Sequence, residues 1–137
     1  MKKLFLLLLL GFTLLGFSQN TLIPDPNFEQ ALIDLGYDTA PINGSVPTAN
    51  ISGVTSLDVS NNNIADLTGI EDFIALIDLS CDSNQLTSLD VSNNTALITL
   101  YCYSNQLTSL DVSNNAALIY LICFNNQLTS LDVSNNT

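Results

Sequence analysis

The chain has 137 residues, 47% of them apolar and 11% charged, with 13 acidic side chains against 2 basic ones and no histidine. Both basic residues, Lys2 and Lys3, precede the first acidic one, Asp25, so everything after Lys3 carries only negative charge. A surface of that kind excludes nucleic acid and anionic membrane surfaces as partners, because both need cations to neutralise them. It also removes catalysis built on His, Lys or Arg.

In chain order, Lys2 and Lys3 followed by an apolar run from Leu4 to Leu10, continued to Phe17, read as a secretory signal peptide over residues 1–18. Small Ser18 before polar Gln19 and Asn20 marks the cleavage region. The apolar stretch is about 14 residues, short of the roughly 20 that a spanning helix needs. Secretion or display at the cell surface is therefore expected. Residues 19–50 come next as an amino-terminal cap and loop. Asp25 is placed to cap a helix with Pro26 in its first turn, Phe28, Ala31, Leu32 and Leu35 share one helical face, and Gly36 supplies the stop. That short helix is expected to cover the open end of the segment that begins at residue 51. Asp38 to Asn50, with Pro41, Asn43, Gly44 and Pro47, reads as a loop.

Residues 51–137 repeat. LTSLDVSNN occurs from Leu86, from Leu107 and from Leu128, a shift of 21, and the stretches LIDLSCDSNQ from Leu76, LITLYCYSNQ from Leu97 and LIYLICFNNQ from Leu118 agree in outline. Such a period means stacked coils that build one continuous core, each coil leaving both faces wet unless it has neighbours. Alternation along a strand turns every second side chain inward, which assigns Leu79, Leu100 and Leu121, with Cys81, Cys102 and Cys123, to the core. The chain stops at Thr137, where a further coil would begin, and reads as a piece of a longer array.

The second set of stretches resembles the leucine-rich-repeat pattern LxxLxLxxNxL, with Cys at the third apolar position. Val54, Leu57, Val59, Asn62 and Ile64 supply a first coil one residue longer, and its stretch from Asp66 to Phe73 resembles the internalin type of repeat. The Cys-containing coils and the phrase PDPNFEQALIDLGYD are similar to secreted Bacteroidota proteins, full-length members of which often end in a sorting domain for type IX secretion. The resemblance implies a leucine-rich-repeat solenoid: parallel β strands stacked in right-handed coils, about four of them, with little helix beyond the short amino-terminal capping helix. LTSLDVSNN also satisfies LxxLxLxxN half a coil out of phase. The LxxLxCxxNQL half is favoured for the main sheet because Leu follows two places after Asn, and the other half is expected to be extended and to pair into a second narrow sheet.

Four sets of residues are candidates for function. Asn62, Asn84, Asn105 and Asn126 fall where the chain turns inward and should form a structural ladder that satisfies buried backbone groups. Cys81, Cys102 and Cys123 read as small core filler, since three stacked thiols give zinc too few ligands and an odd count leaves one unpaired. Asp90, Asp111 and Asp132 stack as like charges; calcium could compensate them, but the segment lacks a recognised calcium loop, and water, Ser and Thr hydroxyls and N–H groups are the alternative. No cofactor is called for. Outward positions are Ser56, Asp58 and Ser60, then Asp78, Ser80 and Asp82, then Thr99, Tyr101 and Tyr103, then Tyr120, Ile122 and Phe124. The face so passes from acidic to aromatic, and Tyr101, Tyr103, Tyr120, Ile122 and Phe124 are the candidate ligand-binding residues, unless those aromatics only stack across strands or are covered by further coils of a longer array.

These features point to a binding module for a protein or glycan outside the cell. The alternatives are a passive spacer displaying a downstream domain and, further off, a glycoside hydrolase using Asp78 and Asp82 as its two acids. No cleft is evident around that pair, so the expectation is a protein that is not an enzyme.

Overall fold

A computed structural model describes residues 19–136; the residues read as a leader lie outside them. The elements are β1 (Asn20–Leu22), α1 (Pro26–Asp34), β2 (Ser45–Pro47), α2 (Thr48–Ile51), β3 (Ser56–Asp58), a 3₁₀ turn (Ile70–Asp72), β4 (Asp78–Ser80), β5 (Thr99–Tyr101) and β6 (Tyr120–Ile122). Among the described residues, no helix is long and apolar enough to cross a membrane.

Strands β3, β4, β5 and β6 form one parallel sheet in sequence order. Ser56 pairs with Asp78, Asp78 with Thr99 and Thr99 with Tyr120, so the sheet steps once by the longer first coil and then by the repeat. That register stacks Leu57, Leu79, Leu100 and Leu121 in one inward column, of which the first three are buried. The sheet lies in the LxxLxCxxNQL half, as favoured. Backbone bonds extend the pairing past the strands: the N–H of Val59 donates to Ser80 O, that of Cys81 to Tyr101 O and that of Cys102 to Ile122 O. Val59, Cys81 and Cys102 thus form a second buried column, and Ile64, Leu86 and Leu107 a third. Each inward residue meets its counterpart in the next coil at about 4.8 Å, the strand spacing.

The expected second sheet is reduced to one isolated parallel bridge, Asp90 to Asp111. The sequence itself supplies the competitor. Oδ1 of Asp90, Asp111 and Asp132 accepts the backbone N–H of Ser92, Ser113 and Ser134, two residues on, which turns the chain instead of letting it run as a ladder.

In the amino-terminal segment the chain does not simply loop from Asp38 to Asn50. It contains β2, which pairs antiparallel with β1, and the short α2. The pairing is anchored by Glu29, whose fully buried carboxylate accepts the N–H groups of Asn43 and Gly44 at 2.6 and 2.7 Å. Asp25 works at two places at once. Its Oδ1 accepts the N–H of Asn27 and Phe28 at the start of α1, while Oδ2 accepts those of Ala65 and Asp66 in the first coil. Phe28 stacks on Phe73, ring centres 6.4 Å apart, and α1 ends on Leu35 with Gly36 left-handed at φ 82°.

Gly69 fixes how closely this segment approaches the coils. Its φ of 106° is a backbone conformation that side chains resist, and a Cβ there would sit 2.3 Å from Ile23 Cδ1 and 2.7 Å from Leu22 O. Gly69→Ala should therefore cost about 2 kcal/mol or more in urea unfolding. Gly53→Ala, whose Cβ would meet nothing within 4 Å, should change the midpoint little; equal effects would show that the close approach at Gly69 is not needed.

Candidate functional site

The ladder is built by a residue in each coil held in the left-handed region, Asn61, Ser83, Ser104 and Asn125, with φ between 52° and 58°; in the first coil Asn63 is left-handed as well, at φ 56°. That turn swings the following Asn inward. Asn84 Nδ2 donates to Val59 O (2.9 Å) and Cys81 O (3.1 Å), while its Oδ1 accepts the N–H of Asn62 and Ile64. Asn105 repeats this against Cys81 O, Cys102 O and the N–H of Leu86, and Asn126 against Cys102 O, Cys123 O and the N–H of Leu107. Each Asn side chain thus binds its own coil and the one before it. Asn62 lies in the first coil of the sheet, and its Nδ2 reaches Ser60 O.

A second ladder escaped the sequence reading. Asn94, the last residue of the first LTSLDVSNN, donates to Ile70 O and Phe73 O; Asn115 donates to Val91 O and Asn94 O; Asn136 donates to Val112 O and Asn115 O. The recurrence of this Asn at the repeat distance was the available signal. Its Oδ1 atoms are buried without a protein partner, so this column is less fully satisfied than the first. Asn105→Ala orphans the Leu86 N–H and removes one of the two Asn donors from each of Cys81 O and Cys102 O, and should destabilise the chain by about 1–3 kcal/mol in chemical denaturation. Asn62→Ala should cost clearly less, and a reversed order would refute the ladder's role.

On the opposite side of the sheet backbone, the three outward columns are Ser56, Asp78, Thr99, Tyr120; then Asp58, Ser80, Tyr101, Ile122; then Ser60, Asp82, Tyr103, Phe124. Tyr120, Ile122 and Phe124 are 60%, 37% and 58% exposed. Tyr101 and Tyr103, expected to stand clear of the surface, are half-buried. Tyr103 stacks on Phe124 with centroids 4.8 Å apart and planes 10° apart, so cross-strand stacking and exposure coexist. Asp82, expected outside, is instead buried. It faces the Tyr103 hydroxyl, which is held above the usual phenol range first by hydrogen bonding to Asp82 and then by that carboxylate's charge. Asp78 is exposed, so the two acids considered as a catalytic pair sit in different environments.

Cys81 and Cys102 are buried and Cys123 half-buried, all as free thiols. Burial pushes Cys81 well up, and burial followed by the neighbouring Cys123 pushes Cys102 up to about 12. They are neutral fillers at physiological pH rather than nucleophiles. Asp90, Asp111 and Asp132 are exposed and line shallow grooves with Ser88, Leu89 and Ser109. Hydrogen bonds from Ser92 hold Asp90 below the usual carboxylate range, its hydroxyl first; for Asp111 and Asp132 the N–H of Ser113 and Ser134 acts first. Among the described residues, no three acidic or thiol side chains gather as a metal site.

No family model matches the chain. Internalin J of Listeria monocytogenes is 41% identical over 78 residues, covering 57% of this chain and 8% of that protein. The solved functional domain of internalin J, described as including a cysteine ladder, aligns with a TM-score of 0.78 at 40% identity over 87% of this chain and 27% of that one. The repeats of this chain are similar to the leucine-rich repeats of internalins. An inlF internalin from the same species shares the fold, with a TM-score of 0.73 at 24% identity over 83% of this chain and 33% of that one. The internalin-like stretch from Asp66 to Phe73 forms the 3₁₀ turn that comes after left-handed Gly69. The chain spans under a tenth of the curated relative and about a quarter of the solved internalin J domain.

Proposed function

We propose that this chain is an extracellular interaction module that holds a protein partner on its strand face, through Tyr101, Tyr103, Tyr120, Ile122 and Phe124. The observation that carries this reading is the contiguous exposure of Tyr120, Ile122 and Phe124 on a rigid parallel sheet, because solvating such a patch is unfavourable and a partner relieves it. The likeness to internalin J supports a binding role over a catalytic one. Residues 1–18 act as the export signal, in a bacterium of the Bacteroidota type that the repeats resemble. Residues 19–50 act as the cap: α1 and the β1–β2 pair seat Phe28 and Asp25 on the first coil and close its apolar end. Residues 51–137 then present the face. Asp78 contributes charge to the face, Asp82 lies buried beneath it, and neither is assigned bond-breaking chemistry.

The test is capture of extracellular proteins and binding to a glycan array by the chain and by the variant carrying Y101S, Y103S, Y120S, I122S and F124S. The variant should lose at least about tenfold in affinity, or about 1.4 kcal/mol, while keeping its circular dichroism and melting cooperativity. Retention by a folded variant would favour the passive spacer, and loss confined to glycans would move the partner to that class.

A further inference from the structure

The acidic half of the strand face adjoins the aromatic half, and their boundary runs obliquely across the coils. Ser80 lies beside Tyr101 and Asp78 beside Thr99, while Asp82 reaches the Tyr103 hydroxyl. Asp58 adds charge from the first coil, its Oδ1 taken up by the N–H and hydroxyl of Ser60. The chain holds no basic side chain after Lys3, so among the described residues no cation balances these carboxylates.

We infer that the partner's contacting segment is basic: an extended protein segment that places Arg or Lys over the exposed Asp58 and Asp78 and an apolar side chain over Tyr120 and Phe124. The inference rests on the reading of this face as a protein-binding surface and adds the chemistry of what it takes. Carboxylates without internal counter-charges attract a cation from solution, and the Tyr101 and Tyr103 rings at the boundary suit it, since cations sit favourably over aromatic faces. Arg fits better than Lys, because a guanidinium both forks onto a carboxylate and stacks on a ring.

The spacing is set by the stack. From the first coil to the fourth is three strand separations, roughly 14 Å, which an extended segment rising about 3.3 Å per residue covers in about four residues. The basic and the apolar residue should therefore stand about four apart. The other acidic surface lacks the second half of this arrangement: the grooves along Asp90, Asp111 and Asp132 are lined by Ser, Leu, Asp and Asn, with no ring beside the acids.

Two synthetic twelve-residue peptides test this by amide chemical-shift mapping on the whole chain. One carries three Arg, each four residues from a Phe; the other has Glu in place of Arg. The Arg peptide should shift amides of residues 78–82 and 99–103 first, and its Kd should weaken about tenfold or more in D58N/D78N and in high salt. If the Glu peptide binds the same face equally well, the inference falls while the face remains a binding surface. If the Arg peptide shifts residues 90–92 and 111–113 as strongly, it is responding to net charge alone and the inference falls. If neither peptide touches the face, the inference falls and the binding reading loses its support with it.

Discussion

Everything in this molecule depends on how a coil disposes of the backbone groups it buries when it turns inward. A main chain that leaves a strand and enters the core carries N–H and C=O groups with no ladder partner, and each costs free energy if left unpaired. Here the solution is borrowed from the neighbour. Asn84, Asn105 and Asn126 each donate into carbonyls of their own coil and the preceding one and accept an N–H from the preceding one. Asn94, Asn115 and Asn136 each donate to two carbonyls of the preceding coil at the other turn. No coil is complete alone, so stacking is a condition of burying the leucines rather than a consequence of it.

That dependence explains what the face can be. With inward positions committed to Leu, Cys and Val and turns committed to Asn, the outward strand positions are free of structural duty and vary along the stack, from Ser56 and Asp58 to Tyr120 and Ile122. Asp82 is the exception, drawn beneath the surface beside Tyr103. The scaffold thus supplies rigidity to a surface whose chemistry it leaves open.

The sheet was legible in the sequence because the period places identical letters in contact: once Leu79, Leu100 and Leu121 align, their register is determined, and the Leu two places after Asn distinguishes the two candidate halves. Helix α1 was legible because Asp25, Pro26 and Gly36 are local signals. Besides the second Asn ladder and the burial of Asp82, further features were not. The β1–β2 pairing is made by residues 20–22 with 45–47 and by the reach of Glu29 to Asn43 and Gly44, contacts between segments that carry no shared periodicity. The failure of the second sheet turns on competition between Asx turns and a ladder, which the letters DVS allow either way. The half-burial of Tyr101 and Tyr103 depends on neighbouring side chains folding over one another, and alternation assigns a direction without a depth.

Native-state hydrogen exchange tests the shared satisfaction of buried groups most directly. The amides of Ile64 and Leu86 donate to Asn84 and Asn105 of the following coils, so they should exchange only through opening of the stack, with protection approaching that of the strand amides. Exchange of Ile64 and Leu86 as rapid as that of the neighbouring exposed Thr87 would contradict the account.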